Sequence, residues 1–193
     1  EHKYQLPVSD VPDYTEYAPS NGCKAELTAD LLRRQWGLGV APIPNMVTLM
    51  ESKGIAVFST PNEQGRDLKF DAFSFKSERR NFVFLNTAKT GERARFDAAH
   101  ELGHLVLGHD SIPDQKKGDV SKRLEADANQ FASAFLMPRE SLLSHFHRNP
   151  SLTEIKELKK YWRVSALALC HRLHQIGMLT DWLYHSAMVS LSQ

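Results

Sequence analysis

His100-Glu101-Leu102-Gly103-His104 is the stretch of this chain that says most about its fold. The five residues read His-Glu-x-x-His, and in a helix His100 and His104 lie one turn apart on the same face. Both imidazoles can then bind one metal ion, while Glu101 holds a water molecule on that ion and takes its proton. The pattern therefore predicts a hydrolytic metal site, provided that it lies in a helix.

The residues around this motif predict that helix. Thr90 is suited to the N-cap position, and Glu92 follows in the first turn, near the positive end of the helix dipole. Apolar residues then recur at a helical spacing as far as Leu107, and Gly108 marks the end of the pattern. The motif thus falls inside a predicted helix, as a two-histidine metal site requires.

A catalytic zinc site commonly has three protein ligands and leaves its fourth position to water, so a third ligand is needed. Glu125, on the next predicted helix, is the first candidate. Asp127 projects to nearly the opposite side of that helix on a shorter side chain, and we rank it second. His109 ranks third, because the metzincin pattern continues as His-x-x-Gly-x-x-His, whereas His109 follows His104 by only five residues.

Asn129 lies one turn after Glu125 on the same predicted face. Its amide oxygen can accept the Nδ1 proton of a ligand histidine, which would select the tautomer that binds metal. Ala128 and Ala132 lie near this face and are small enough to let two helices approach closely. We therefore expect Asn129 to support the metal ligands.

The composition is that of an ordinary globular protein. The chain has 193 residues, 41% hydrophobic and 24% charged, with a net charge of +1. This charge argues against wholesale electrostatic binding to nucleic acid or to an anionic membrane. We find no signal-peptide pattern and no apolar run of membrane-spanning length, so we expect a cytoplasmic protein with no membrane contact. Cys23 and Cys170 form no CxxC motif.

The pattern of elements predicts three parts: an extended arm over residues 1–22, a catalytic domain over residues 23–140 and a helical subdomain over residues 141–193. Residues 24–36 are expected to form a helix with Leu27, Leu31 and Leu32 on its apolar face. A second helix is expected after Asn45, followed by a buried strand at residues 55–58. Residues 71–75 and 81–85 read as an antiparallel hairpin, and helices are expected at residues 122–136, 151–162 and 164–176.

Two helical blocks carry a family resemblance. They are RFDAAHELGHLVL over residues 95–107 and EADANQFASAFLMP over residues 125–138. The second block resembles the Glu-x-x-Ala-Asn-x-Phe-Ala segment, followed by Leu-Met-Pro, of the ImmA/IrrE metallopeptidases. Upstream, LRRQWGLG over residues 32–39 and PIPN over residues 42–45 resemble the subset fused to, or encoded beside, a helix-turn-helix repressor of the XRE type. The resemblance covers about residues 20–185.

The resemblance implies an α+β fold of the zincin-like type, with a small antiparallel sheet and a helical C-terminal extension. It implies a gluzincin-like zinc endopeptidase, with manganese able to replace zinc in vitro. The ligands would be His100, His104 and Glu125, with Glu101 as the catalytic base. The implied substrate is an XRE-type repressor, whose cleavage derepresses stress, mobile-element or defence genes. No helix-turn-helix pattern precedes these motifs, so the repressor is either a separate protein or a segment outside this sequence.

Several weaker signals leave alternatives open. A thiolate at Cys23 can block the open zinc position in a latent form, or Cys23 can be a free cysteine without that role. The hairpin edge can pair with an extended substrate, or a loop can cover it. For the oxyanion we nominate four residues, Tyr161, His145, His147 and Arg172.

The C-terminal helices present basic residues, but we expect them to pack on the catalytic domain through Leu167, Leu169, Leu173 and Ile176 rather than to contact DNA. The alternative function is a non-proteolytic sensor that binds a ligand or nucleic acid and controls a fused or partner DNA-binding protein. Glu101 favours the enzyme, because a pure binding domain needs no such carboxylate.

Overall fold

The computed structural model describes residues 8–14, 24–60, 72–77, 80–86, 90–109 and 119–192. Within them the fold is α+β, with eight helices and one three-stranded sheet. In chain order the elements are α1 (Lys24–Gln35), α2 (Met46–Ser52), β1 (Ile55–Thr60), β2 (Ala72–Ser77), β3 (Arg80–Asn86), α3 (Gly91–Leu107), α4 (Asp119–Leu136), α5 (Arg139–His145), α6 (Leu152–Trp162), α7 (Ala166–Gln175) and α8 (Asp181–Leu191). None of the described helices is both long enough and apolar enough to cross a membrane.

The sheet is mixed, which corrects the prediction of an antiparallel sheet. Its strand order is β1-β3-β2. The predicted hairpin is present, with β2 antiparallel to β3 and Ala72 opposite Leu85. β1, however, pairs in parallel with β3, with Ile55 beside Asn81. The alternation within each strand predicts which face is buried, but it does not say which strand β1 joins or in which direction.

The two faces of the sheet differ in their surroundings. Ile55, Val83 and Leu85 point into the core and are buried. The opposite face carries five stacked phenylalanine rings with ring centroids 4.6 to 6.5 Å apart, namely Phe58, Phe73, Phe75, Phe82 and Phe84. Aromatic pairs across neighbouring strands stabilise a sheet of this size. β2 lies at one end of the strand order and also packs against α3.

The centre of the fold is the packing of α3 on α4. Small side chains line this contact, and Ala98, Ala99, Ala128 and Ala132 are fully buried. Gly103 of α3 has no room for a methyl group, because a Cβ there would lie 2.9 Å from the ring of Phe131 and 3.3 Å from the carbonyl oxygen of Ala128. Glycine at this position therefore allows the two helices to approach closely.

α1 buries a different face from the predicted one. The residues that pack inward are Ala25, Thr28, Ala29, Leu32 and Arg33. Leu32 was predicted correctly, but Leu27 and Leu31 are exposed. α1 packs on α4, and the small side chains of Ala25, Thr28 and Ala29 on its buried face favour a close approach of the two helices. The positions of apolar residues in the sequence do not show which face of α1 fits against α4.

Two buried arginines join separate segments through backbone carbonyl groups. Arg33 donates hydrogen bonds to the carbonyl oxygens of Phe135, Gly39 and Ala41 at 2.6, 2.9 and 2.6 Å. Arg172 of α7 binds both carboxylate oxygens of Glu26 on α1, at 3.0 and 2.7 Å, and donates to the carbonyl oxygen of Met137. The guanidinium of Arg172 holds the pKa of Glu26 below its usual range. These contacts tie α7 to α1 and to the end of α4.

Most helices of the C-terminal region agree with the prediction, but α5 and α8 were not predicted. α5 has only seven residues, and α8 lacks a clear apolar stripe along one face. In α7, Leu169, Leu173 and the adjoining Ile176 are buried as expected, whereas Leu167 is exposed. The division of the chain at residue 140 stays a prediction.

The described part of the predicted N-terminal arm, residues 8–14, lies against the helices. The indole N–H of Trp36 donates to the carbonyl oxygen of Asp10 at 3.1 Å. Tyr14 is buried, its hydroxyl donates to Gln35 at 2.7 Å, and its backbone N–H donates to the carbonyl oxygen of Val106 at 3.1 Å. Cys23 lies outside the described residues.

Replacing Gly103 with alanine tests the close contact of α3 and α4. We expect Gly103→Ala to lower the free energy of unfolding, because an overpacked core costs about 1–3 kcal/mol, whereas alanine gains only about 1 kcal/mol in helix propensity. Gly91→Ala is the matched control, since a Cβ at Gly91 meets no atom within 4 Å. The measurement is urea unfolding. If Gly103→Ala were as stable as Gly91→Ala, the steric constraint would be refuted.

Candidate metal centre

The His-Glu-x-x-His motif lies in α3, and the predicted helix is confirmed. The side chain of Thr90 caps its N-terminus by accepting a hydrogen bond from the backbone N–H of Arg93. At the other end Gly108 adopts a left-handed conformation with φ 71°, and its N–H donates to the carbonyl oxygen of His104. Both ends are therefore capped, and the helix holds the two histidines one turn apart.

The structure brings His100, His104 and Glu125 together, with one ligand atom from each within 4.8 Å of the others. The Nε2 atoms of the two histidines are 3.0 Å apart. The carboxylate oxygens of Glu125 lie 3.2 Å from Nε2 of His100 and 3.5 Å from Nε2 of His104. Ligands of a tetrahedral zinc ion lie about 3.4 Å from one another, given bonds of about 2.0–2.1 Å. The spacing and the chemistry of these donors therefore fit a zinc ion.

The other ring nitrogen of each histidine has its own partner. Nδ1 of His100 lies 3.0 Å from the amide oxygen of Asn129, which accepts its proton and leaves Nε2 with a free lone pair. Nδ1 of His104 lies 2.9 Å from Nδ1 of His109. His109 therefore contacts the side of the His104 ring that faces away from Glu125, and it supports His104 instead of joining the ligand cluster.

The electrostatic surroundings keep His104 neutral. Burial lowers the pKa of His104 to about 4, His100 acts in the same direction, and Glu125 opposes both. Burial also lowers the pKa of His109 to about 4, with a further contribution from His104. A neutral imidazole is the form that binds a metal, because protonation removes the lone pair of the ligand nitrogen.

Asp127, the second-ranked candidate for the third ligand, lies apart from this cluster. Within the described part of the chain, the group able to hold an ion contains Glu125 and not Asp127. Burial raises the pKa of Asp127, and the charge of Lys24 opposes this effect. Two residues along a helix correspond to a rotation of about 200°, which turns Asp127 away from α3.

Glu101 has a partner that the sequence did not reveal. Its side chain is buried, and its carboxylate accepts a hydrogen bond of 2.7 Å from the hydroxyl of Ser74 on β2. Ser74 occupies an inward position between the outward-facing Phe73 and Phe75. The sequence does show Ser74 as a polar residue at an inward position of β2. It does not show that β2 packs beside Glu101.

An open cavity of about 450 Å³ surrounds these residues, and we call it the metal cleft. α3 forms its floor through Phe96, His100 and Glu101, β2 forms one wall through Ser74, and α4 contributes Glu125 and Asn129. The cleft therefore places a buried carboxylate, the candidate ligand cluster and strand β2 around one space.

The residues nominated for the oxyanion do not line the metal cleft, as far as the described residues show. Arg172 is committed to Glu26 and Met137. His145 hydrogen-bonds the carbonyl oxygen of Ser141, and its ring packs on Tyr161. These residues were nominated for their residue types, and a residue type does not indicate whether a side chain lies near the metal cleft.

Comparison with known proteins identifies the family. Residues 50–174 match the family model described as Peptidase_M78, IrrE N-terminal-like domain, and this range includes the whole ligand cluster. The chain is 32% identical to the radiation response metalloprotease IrrE of Deinococcus radiodurans over 120 residues, which cover 56% of this chain and 37% of that protein. It is 34% identical to the protein of the same name from Deinococcus deserti over 100 residues, 47% of this chain and 35% of that protein.

The chain thus spans little more than a third of the length of these curated relatives. Among solved structures, a Mycobacterium tuberculosis transcriptional regulator superposes with a TM-score of 0.53 at 19% identity, covering 77% of this chain and 46% of that one. At this identity the likeness concerns the fold alone. The match to the family model, which extends over most of the chain, shows that this protein belongs to the ImmA/IrrE family.

Proposed function

We propose that this chain is a zinc-dependent endopeptidase domain of the zincin-like, gluzincin type. The observation that carries the proposal is the convergence of Nε2 of His100, Nε2 of His104 and the carboxylate of Glu125 beside the buried Glu101. Two histidines and a carboxylate are a common ligand set of catalytic zinc, and they leave a coordination position for water. Membership of a family whose curated relatives are named metalloproteases supports the same function.

The proposed roles follow from the geometry. His100, His104 and Glu125 hold the metal, with zinc as the expected ion and manganese as a replacement in vitro. Asn129 contacts Nδ1 of His100, and His109 contacts Nδ1 of His104. These contacts fix the ring orientation and the tautomer of each ligand histidine. When bound, the metal supplies Lewis-acid polarisation of a water molecule and of the scissile carbonyl group.

Glu101 moves the proton in this mechanism. Its carboxylate takes the proton of the attacking water and delivers it to the nitrogen of the leaving amine. Ser74 donates to one carboxylate oxygen and thereby holds Glu101 in one orientation beside the ligand cluster. Positioning of this kind matters, because proton transfer requires a contact of hydrogen-bond length.

The substrate is proposed to bind in an extended conformation along β2. Among the described residues, β2 pairs with β3 on one side and ends the strand order on the other, and Ser74 brings this strand against the base. A peptide added at this edge would satisfy backbone hydrogen-bonding groups and place its carbonyl above α3. Side chains would then determine which bond enters the metal cleft.

The proposed substrate is a transcriptional repressor of the XRE type, supplied as a separate protein or as a fused segment. The resemblance of residues 32–45 to the repressor-associated subset supports this assignment, as does the name of the relatives, which refers to a radiation response. Cleavage of the repressor would derepress stress, mobile-element or defence genes. We expect the reaction to take place in the cytoplasm, without contact of this chain with DNA or a membrane.

The third metal ligand can be tested by substitution. We expect Glu125→Ala to weaken zinc binding by at least about 100-fold, since loss of a ligand exceeds the 10–100-fold effect of losing an outer hydrogen-bond partner. Asp127→Asn is the matched control on the same helix and is expected to bind zinc like the wild type. The measurement is a chelator-competition titration with metal analysis. The opposite ranking of the two variants would assign the ligand to Asp127.

The catalytic role of Glu101 is tested by incubating the zinc-loaded chain with an XRE-type repressor encoded beside it. We expect Glu101→Gln to retain zinc and to lose at least about 100-fold in cleavage rate, because general acid–base catalysis contributes about 10²–10⁴-fold. Glu157→Gln, at an exposed glutamate of α6, serves as the control. If wild type and Glu101→Gln left the repressor equally intact, the peptidase proposal would fail in favour of a non-proteolytic sensor.

The hydrogen bond from Ser74 provides a further prediction. Ser74→Ala should reduce kcat by about tenfold or more with zinc content unchanged, because a hydrogen bond to a charged group contributes about 1.5–3 kcal/mol. Ser77→Ala removes an exposed hydroxyl from the same strand and should leave kcat at the wild-type value. Steady-state cleavage measured together with zinc analysis separates the two variants. An unchanged kcat in Ser74→Ala would remove Ser74 from the mechanism.

A further inference from the structure

A second cavity lies beside the metal cleft, between α3, α4 and the C-terminal helices, and we call it the apolar cleft. Its volume of about 740 Å³ is within the range of cavities that enclose ligands. Phe96 of α3, Ala126 of α4, Leu167 of α7 and Met188 of α8 contribute to its walls. The small side chain of Ala126 leaves space in front of α7.

The apolar cleft adjoins the metal cleft. Arg93, Phe96 and Asn129 line both cavities. Asn129 also contacts His100, so the shared wall reaches the ligand cluster itself. A peptide that enters the metal cleft therefore has its neighbouring side chains within reach of the apolar cleft.

The chemistry of the walls indicates what the cleft binds. Leu167 is 37% exposed, although Leu169 and Leu173 of the same helix are fully buried. Two charged residues of the lining already have partners: Glu92 binds Lys159 at 2.6 Å, and Arg93 binds Asp97 at 3.1 Å. An occupant with apolar side chains gains from burial here, whereas a charged occupant would have to compete for paired groups.

We propose that the apolar cleft is a substrate subsite that selects peptides with a large apolar side chain at a set distance from the scissile bond. The proposal rests on the proposed peptidase function and adds the substrate class to it. Its occupant is a segment of the protein substrate, because the cleft adjoins the space where the scissile bond would lie. Leu167 is the specificity-determining residue, since it offers the exposed apolar surface of α7 to the cleft.

The test uses one mixture of synthetic peptides, with every residue type represented at each position, and two readouts. Zinc-loaded wild type is used to map cleaved bonds by mass spectrometry. The zinc-loaded Glu101→Gln chain is used to identify bound peptides without cleavage. Leu167→Glu is introduced into both chains, and glutamate in the first turn of α7 is compatible with the helix dipole. Leu143→Glu, at a leucine of α5 that is 45% exposed, is the matched control.

We expect bound and cleaved peptides to be enriched in large apolar residues at one position, and Leu167→Glu to reduce this enrichment about tenfold while Leu143→Glu leaves it unchanged. Leu143→Glu should also cleave the peptides that lack the apolar residue at the wild-type rate, since Leu143 lines neither cleft. An absence of apolar preference, or a preference that survives Leu167→Glu, overturns the subsite. If no peptide is cleaved but Leu167→Glu reduces the apolar enrichment of the bound peptides, the peptidase proposal fails. The apolar cleft would then remain a peptide-binding site.

Discussion

The close packing of α3 on α4 is the constraint on which the candidate metal centre depends. His100 and His104 lie on α3, whereas Glu125 and Asn129 lie on α4, so the separation of the two helices sets every distance within the ligand cluster. Gly103 permits that separation, since a methyl group there would meet Phe131 and the backbone of Ala128. The glycine within the His-Glu-x-x-His motif is thus a packing residue, and its effect on the chemistry is exerted through the position of α4.

α3 also connects the site to the rest of the molecule. On one side it packs against β2, which brings Ser74 to the carboxylate of Glu101 and ends the strand order of the described residues. On the other side its N-terminal half forms a wall of the apolar cleft, together with α7 and α8. The ion pair of Arg172 with Glu26 joins α7 to the helices that surround the metal centre. One helix therefore unites the proposed chemistry with the proposed recognition of substrate.

Structural features that depend on residues close together in the chain could be predicted from the sequence. The caps of α3, the end of that helix at Gly108 and the β2–β3 hairpin all follow from local residue types, and the structure has them as predicted. Features that depend on packing against a distant element of the fold could not be predicted from the sequence. The parallel pairing of β1, the exposure of Leu27 and Leu31, and the exposure of Leu167 are examples. Apolar character indicates that a side chain can be buried, but the shape of the opposing surface decides whether it is.

The sequence by itself determined the His-Glu-x-x-His motif, its place within one helix and the family to which the chain belongs, because these features are carried by residues close together in the chain. The ranking of Glu125 above Asp127 also came from the sequence, and the structure has Glu125 beside the two histidines. The tertiary structure alone decided that Ser74 contacts Glu101 and that His109 contacts His104. Each of these contacts joins separate elements or crosses a helix end. Their geometry depends on steric fit and on the direction of side chains, which residue identity does not specify.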